Sequence, residues 1–184
     1  MAVVKLVQKP DNDDVREAFK LAETHFGHVP NLVRALGSNP AMCRTITAFI
    51  VQSLREGRVS WGFKELVILK TLRAISSFYG YGAHEALAQE LGNSPERIGD
   101  IANSLWENSP HFNEAERAVF ELVKQIAIDA NAVPDELWDR LRKHWDHGQL
   151  VELDALITTF IMIGRVADTL GVTDPVLFKR KVKN

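Results

Sequence analysis

Cysteine is almost absent from this chain of 184 residues, which contains only Cys43. A single cysteine forms no disulfide within the chain, so the sequence excludes a disulfide-stabilised fold and favours a reducing, cytoplasmic location. Cys43 shares an apolar helical pattern with Ile46 and Ile50. We therefore predict that Cys43 is a small core residue and takes no part in thiol chemistry.

Long apolar runs and an excess of one charge are also missing. The longest apolar stretch, residues 155–163, is about half as long as a bilayer span and predicts a buried helix. The first residues are apolar only briefly, so we expect no signal peptide. The net charge of −2 and pI of about 6.3 leave no basic surface for a phosphate backbone. We predict neither a membrane nor a nucleic acid as a partner.

Several sequence signatures of bound groups are missing as well. The chain contains no phosphate-binding loop, no dinucleotide fingerprint, no zinc signature and no Gly-x-Ser-x-Gly nucleophile elbow. We therefore predict no cofactor and no metal site.

The sequence does contain helical periodicity along most of its length, which predicts an all-α fold. The 46% hydrophobic content suffices for one core that buries roughly 70% of the unfolded surface, so we predict a single domain over residues 1–184. Ser94 before Pro95, and Asn113 with Glu116, are typical helix starts. The predicted helices cover residues 14–25, 31–36, 40–56, 60–75, 80–91, 95–106, 114–130, 135–146 and 150–170.

Glu65 and His84 occupy positions at which the helical pattern favours apolar side chains. Glu65 shares one stripe of its predicted helix with three aliphatic residues: Ile68, Leu69 and Leu72. The charged and polar residues of that helix lie off the stripe: Lys64, Lys70, Thr71 and Arg73. His84 shares the stripe of the next helix with Leu87, Ala88 and Leu91. Both ionisable side chains are therefore predicted to face the interior.

Two inward ionisable groups on consecutive helices favour proton-transfer chemistry. A desolvated carboxylate costs several kcal/mol unless it is paired or protonated, and such groups cluster at functional sites. A buried pair that only fixes helix packing is the alternative interpretation.

The residues between Glu65 and His84 resemble the core of the AhpD-like alkylhydroperoxidases and carboxymuconolactone decarboxylases. The resemblance is carried by Glu65 and by the segment Ser77-Phe78-Tyr79-Gly80-Tyr81-Gly82-Ala83-His84. Redox members of this family have Cys-x-x-Cys-x-x-x-His at this place, with a glutamate upstream. The two cysteine positions read Ser77 and Gly80 here, whereas His84 and Glu65 keep the family spacing. The resemblance extends over residues 27–171 and implies an AhpD-like compact helical domain.

The missing thiols decide which activity the resemblance implies. A dithiol peroxidase needs one thiolate to attack the peroxide and a second thiol to resolve the sulfenic acid. The decarboxylase branch works without that pair and uses a histidine and a glutamate. We therefore expect a cofactor-independent acid/base enzyme that decarboxylates or isomerises a small carbonyl or lactone compound. The chain length and the segment 27–32 look like the peroxidase-related branch, so the sequence does not decide between the two branches of the family.

The expected catalytic residues are Glu65 and His84, and the expected substrate-binding residues are Ser77, Tyr79, Gly80 and Tyr81. The hydroxyls would orient the substrate, and the small residues would leave room beside the histidine. Two alternatives remain: a non-catalytic oligomeric binding or scaffold protein, and an alkylhydroperoxidase-related activity by a non-dithiol route. An open cavity that reaches Ser77 and His84 would favour the enzyme, whereas a closed Glu65–His84 contact would favour the scaffold.

The last predicted helix is apolar around most of its circumference, which favours self-association. The resembled family assembles as rings, so the resemblance implies a trimer or hexamer. We expect a homo-oligomer that acts on a small-molecule substrate.

Overall fold

The computed structural model describes residues 2–173, and within this range the chain forms nine α-helices, one short 3₁₀ helix and no β-strand. The α-helices are α1 (Asp13–Phe26), α2 (Asn31–Leu36), α3 (Pro40–Ser53), α4 (Trp61–Ala74), α5 (Tyr81–Glu90), α6 (Pro95–Ala102), α7 (Glu114–Asp129), α8 (Asp135–Arg142) and α9 (His147–Thr169); the 3₁₀ helix is Ala130–Ala132. The all-α prediction is confirmed. Residues 1 and 174–184 of the predicted single domain lie outside the described range, so that domain assignment stays a prediction.

Local capping explains where several helices begin. The side chain of Asn113 accepts from the backbone N–H of Glu116, and the Glu116 carboxylate accepts from the backbone N–H of Asn113, which completes the predicted capping box. The Ser94 hydroxyl caps α6 ahead of Pro95, as predicted. Each cap satisfies backbone N–H groups that have no partner within the helix.

Several helix boundaries differ from the predictions, three of them by three residues or more near the C-terminal half of the chain. The helix predicted over 95–106 ends at Ala102. The helix predicted over 135–146 ends at Arg142, and α9 begins at His147 instead of residue 150. The physical reason is a second capping box, in which Asp146 and Gln149 exchange side-chain to backbone hydrogen bonds and so start α9 early.

Helix α4 lies at the centre of the molecule and packs against α5, α6, α7 and α9. Ten of its residues are buried, including Lys64, Lys70 and Thr71, which lie off the Glu65 stripe. The amphipathic pattern thus indicated the inward direction of Glu65 but not the burial of the opposite face. A helix surrounded by other helices has no solvent face, so its polar residues need partners in the interior. Lys64 has them, because its ammonium donates to the backbone oxygens of Ser53 and Arg55 and pairs with Glu152.

Most buried apolar side chains of the described residues form one cluster around α4. Cys43 belongs to this cluster and is 0% exposed, and burial raises the pKa of its thiol. The prediction that Cys43 is a core residue is confirmed. No helix in the part of the chain that the structure describes combines the length and apolarity needed to span a bilayer.

Candidate functional site

Helices α4 and α5 bring Glu65 and His84 into direct contact. The distance from His84 Nδ1 to Glu65 Oε2 is 2.7 Å, and the residues are 0% (Glu65) and 6% (His84) exposed. Both side chains face the interior, as the periodicity predicted. A hydrogen bond of this length between ionisable groups in a dry environment is strong, because little water competes for either partner.

Trp61 is a third member of this group that the sequence analysis missed. Its indole Nε1–H donates to Glu65 Oε1 at 3.0 Å, so the two carboxylate oxygens accept from two different donors. Trp61 lies four residues before Glu65 in α4, which places the two side chains on the same helix face. That spacing was the available signal. The indole fixes the carboxylate on the side away from the imidazole.

The segment between α4 and α5 determines how His84 is presented. Ser76 follows the end of α4 with a φ of 56°, and the Ser77 N–H donates to the oxygen of Leu72 at 2.9 Å. Gly80 then precedes α5 in the left-handed conformation, with a φ of 70°, and its oxygen accepts from the N–H of His84 at 3.1 Å. Helix α5 therefore begins at Tyr81 and not at the predicted residue 80. Glycine adopts this left-handed conformation without steric strain, which explains why a glycine occupies position 80.

His84 lines a cavity of about 200 Å³ together with Tyr79 and Gly80. Most of the other lining residues are apolar: Phe26, Leu32, Val33, Ile50, Leu54, Phe160 and Ile163. A Cβ atom built on Gly80 would lie 3.9 Å from His84 Nε2, so the Nε2 edge of the ring is on the side of the cavity that Gly80 lines. The cavity is apolar, with a histidine ring in its wall.

Two further contacts hold the cavity wall in place. The Tyr79 hydroxyl accepts from the backbone N–H of Leu32 at 3.2 Å, which ties the segment before α5 to the start of α2. The ring of Phe160 in α9 meets the imidazole edge to face, with 5.0 Å between centroids. Sequence reasoning missed the contributions of α1, α2, α3 and α9, because these helices are distant in sequence and carry no polar signal at the cavity.

The structure divides the predicted substrate-binding residues between two cavities. Tyr79 and Gly80 lie with His84, whereas Ser77 and Tyr81 line a separate cavity of about 210 Å³ behind the same segment. Burial raises the pKa of the Tyr81 hydroxyl, and the neighbouring Glu85 carboxylate raises it further. The cavity that we expected to reach both Ser77 and His84 therefore reaches only His84.

This arrangement supports one chemical role for His84. If Nδ1–H donates to the Glu65 carboxylate, the neutral ring carries its lone pair on Nε2, at the cavity edge. The carboxylate then stabilises the imidazolium that forms when Nε2 takes up a proton. In residues 2–173, no group of three or more His, Cys, Asp or Glu side chains is arranged to hold a metal ion.

No protein-family model matches this chain, whereas a sequence comparison finds two relatives. The uncharacterized protein YdfG of Bacillus subtilis (strain 168) is 27% identical over 109 residues, which are 59% of this chain and 73% of the relative. The uncharacterized protein YnjA of Escherichia coli (strain K12) is 25% identical over 150 residues, which are 74% of this chain and 75% of the relative.

Solved structures share the fold at lower sequence identity. The debrominase Bmp8 superimposes with a TM-score of 0.80 at 16% identity, covering 95% of this chain and 93% of that one. An uncharacterized peroxidase-related protein from Silicibacter sp. TM1040 gives a TM-score of 0.81 at 17% identity, covering 99% and 96%. An AhpD-core, peroxidase-related protein from Ralstonia eutropha JMP134 gives 0.74 at 20% identity, covering 89% and 86%. This chain therefore has the AhpD-like fold and lacks the Cys-x-x-Cys pair of its redox members.

Proposed function

We propose that this protein is a cofactor-independent enzyme in which His84 and Glu65 move a proton on a small carbonyl or lactone compound, in an isomerisation or a decarboxylation. The observation that carries the proposal is that His84, hydrogen-bonded to Glu65 at 2.7 Å, lines a small apolar cavity; the closed contact taken alone favours the scaffold alternative. A base held near a reacting carbon contributes about 10²- to 10⁴-fold to the rate.

The cavity lining favours an uncharged substrate and therefore an isomerisation over a decarboxylation, whose substrate carries a carboxylate. His84 is the only histidine among the described residues that line the cavity, and no lysine, arginine, aspartate or glutamate is among them. Apolar walls bind a compact, largely apolar molecule and penalise a charged one. The crystal structures of the fold neighbour Bmp8 include a complex with 2,3,4-tribromopyrrole, which is also a small ring compound.

The proposed proton transfer assigns a task to each group. His84 Nε2 takes the proton from the carbon next to the substrate carbonyl, and the electron pair of the C–H bond moves toward the carbonyl oxygen. Glu65 holds the ring in the required tautomer and stabilises its positive charge, while Trp61 holds Glu65. The imidazolium then returns the proton to the same carbon or to a different one.

Hydrogen–deuterium exchange tests this step without knowledge of the product. A panel of small uncharged ketones and lactones is incubated with the protein in D₂O, and the loss of the proton signal next to the carbonyl is followed by NMR. We expect accelerated exchange for at least one compound, and we expect His84→Gln to reduce it by at least about 100-fold. His144→Gln is the matched control, since His144 is an exposed histidine outside the cavity.

Exchange that persists in folded His84→Gln would contradict the acid/base proposal. If a compound binds without any exchange, the binding-protein alternative is the correct one. That alternative has some structural support, because a fully buried and doubly hydrogen-bonded Glu65 also serves helix packing.

A peroxide turnover assay separately tests the prediction that the missing thiols leave this chain without dithiol peroxidase activity. Ser77 and Gly80 form neither a sulfenic acid nor a disulfide, so we expect no reduction of alkyl hydroperoxide by dithiols above background. Turnover that survives Cys43→Ser would support the non-dithiol route. Reinstalling cysteine at both family positions meets an obstacle at Gly80, whose φ of 70° is strained for any residue with a Cβ.

A further inference from the structure

Lys70 is a buried amine that the proposed proton transfer does not use. It lies within the central helix α4, and only 6% of its surface is exposed. Within residues 2–173 its ammonium has neither a hydrogen-bond acceptor nor a carboxylate partner. Lys64 of the same helix has both kinds of partner. Because an unpaired buried charge is costly, the burial of Lys70 needs a different explanation.

The amine of Lys70 lies against an aromatic ring and a cavity. Its Nζ is 5.0 Å from the centroid of the Trp106 ring, which meets Phe120 of α7 edge to face at 5.8 Å. Lys70 and Trp106 both line a cavity of about 260 Å³ between α4, α7 and the segment after α6. None of the described residues that line this cavity also lines the one beside His84. The two cavities are therefore separate sites.

The surroundings of Lys70 make its amine nucleophilic. Burial lowers its pKa from 10.5 to about 8; Lys124 and Arg73 lower the pKa further, whereas Glu107 raises it. At pH 7 about one tenth of such amines are unprotonated, against less than about one in a thousand for an ordinary lysine. Lysines that are desolvated or next to another cation are the ones that form covalent bonds with carbonyl compounds.

The other lining residues favour an uncharged carbonyl compound. Glu107 and Lys124 line the cavity as an ion pair at 3.2 Å, so their charges largely neutralise one another. Most of the remaining wall is apolar: Ala74, Trp106, Ala127 and Ile128. Apolar walls beside a free amine suit an aldehyde that carries a short apolar group.

We propose that Lys70 binds a small apolar aldehyde covalently, as an imine formed on Nζ in the wall of this cavity. The nitrogen lone pair bonds to the carbonyl carbon, and the electrons of the carbonyl π bond move to oxygen. The two protons of the neutral amine leave with that oxygen as water, and a C=N double bond remains. The step needs no oxidant or reductant. The site is independent of the proposed acid/base activity, because other residues form it.

Reductive trapping tests the proposal. The protein is incubated with benzaldehyde and sodium cyanoborohydride at pH 7, and benzylation of each lysine is quantified over time by peptide mass spectrometry. We expect Lys70 to be labelled at least about tenfold faster than Lys143, an exposed lysine at the end of α8 outside the cavity. In urea the two lysines should be labelled at similar rates, because unfolding removes the environment of Lys70.

Three variants separate a cavity site from a merely reactive amine. Ala127→Leu enlarges a partly exposed side chain of the cavity wall and should slow the labelling of Lys70 several-fold. Lys124→Gln should also slow it, because removing the positive charge raises the pKa of Lys70. His84→Gln should be labelled like the parent protein, so this assay and the exchange assay fail independently. Equal labelling of Lys70 and Lys143 in the folded protein, or undiminished labelling in Ala127→Leu, would overturn the proposal.

Discussion

The carboxylate of Glu65 has two donors and no spare oxygen, which makes its replacement less benign than the sequence suggests. Oε1 accepts from Trp61 and Oε2 accepts from His84. A glutamine side chain has one oxygen and one NH₂ group, so it satisfies both Trp61 and His84 only if the imidazole changes tautomer and Nδ1 becomes an acceptor.

We therefore predict that Glu65→Gln lowers the free energy of unfolding by about 1 to 3 kcal/mol, since either one buried N–H faces another donor or the imidazole has to give up the tautomer that the carboxylate stabilises. His84→Gln should cost less, because an amide NH₂ can still donate to Glu65. Urea unfolding of both variants measures the difference. Equal losses of stability would indicate that the carboxylate geometry is not needed by the fold. His84→Gln is consequently the cleaner probe of catalysis.

Lys70 is a second residue whose burial has a measurable consequence. It is 6% exposed, and its ammonium lies 5.0 Å from the centroid of the Trp106 ring. Burial lowers the pKa of Lys70 from 10.5 to about 8, with a further contribution from the charge of Lys124.

This lowered pKa predicts that stability rises with pH between about 8 and 10.5. In that interval the unfolded chain keeps the lysine proton that the folded chain has released, and stability increases wherever the unfolded state binds more protons. We expect wild type to gain up to about 3 kcal/mol relative to Lys70→Met across the interval. Denaturant unfolding of both proteins at pH 7.5 and 10.5 checks the sign. If the difference in unfolding free energy between the two proteins is the same at both pH values, the pKa of Lys70 is not lowered in the folded state.

At the scale of helices, the close approach of α9 to the end of α4 depends on Gly164. A Cβ atom at this position would lie 2.7 Å from Ile75 Cδ1 and 2.9 Å from Ser77 Oγ. Both distances are too short for an ordinary contact, and Ser77 Cβ would lie only 3.0 Å away, so the side chains of Ile75 and Ser77 would have to shift.

We predict that Gly164→Ala lowers the free energy of unfolding by about 1 to 2 kcal/mol, because overpacking outweighs the gain in helix propensity. Gly99→Ala in α6 is the matched control, since nothing lies within 4 Å of the position that its Cβ atom would take. That variant should stabilise the protein by about 0.5 to 1 kcal/mol. Thermal unfolding of the pair provides the measurement, and a stabilised Gly164→Ala would contradict the packing argument.

At the scale of the whole molecule, several large apolar side chains remain on the surface. Val151 at the start of α9 is 70% exposed, and Met42 and Phe49 on α3 are 49% and 47% exposed. Ile161 and Met162 of α9 are only partly buried. Beyond its first turn, the other exposed residues of α9 are polar: Asp154, Thr158, Arg165, Asp168 and Thr169. Most of the apolar surface of α9 is therefore covered within the monomer, and self-association stays a prediction.

We expect light scattering at micromolar concentration to give a multiple of the 20.7 kDa chain mass. Val151→Glu should shift this mass toward the monomer, because a charge within an apolar contact is costly. Ile128→Glu on α7 is the control at an equally exposed apolar position, 75% accessible, and should leave the mass unchanged. A monomer mass for the unaltered chain would contradict the prediction.

The sequence by itself determined the all-α class, most helix positions and the inward direction of Glu65 and His84. These features are local, since helical periodicity, capping residues and an ionisable group within an apolar stripe can be read within a window of about 15 residues. Cys43 was correctly placed in the core for the same reason.

Only the tertiary structure decided which surfaces meet around those residues. The cavity beside His84 is built from α1, α2, α3 and α9, whose apolar side chains are indistinguishable in sequence from other core residues. Because the backbone is left-handed at Ser76 and Gly80, Ser77 and Tyr81 line a different cavity from Tyr79, although all three lie within five residues of one another. The burial of Lys64 and Lys70 likewise follows from the central place of α4. Such outcomes depend on contacts between distant segments, and no local pattern encodes them.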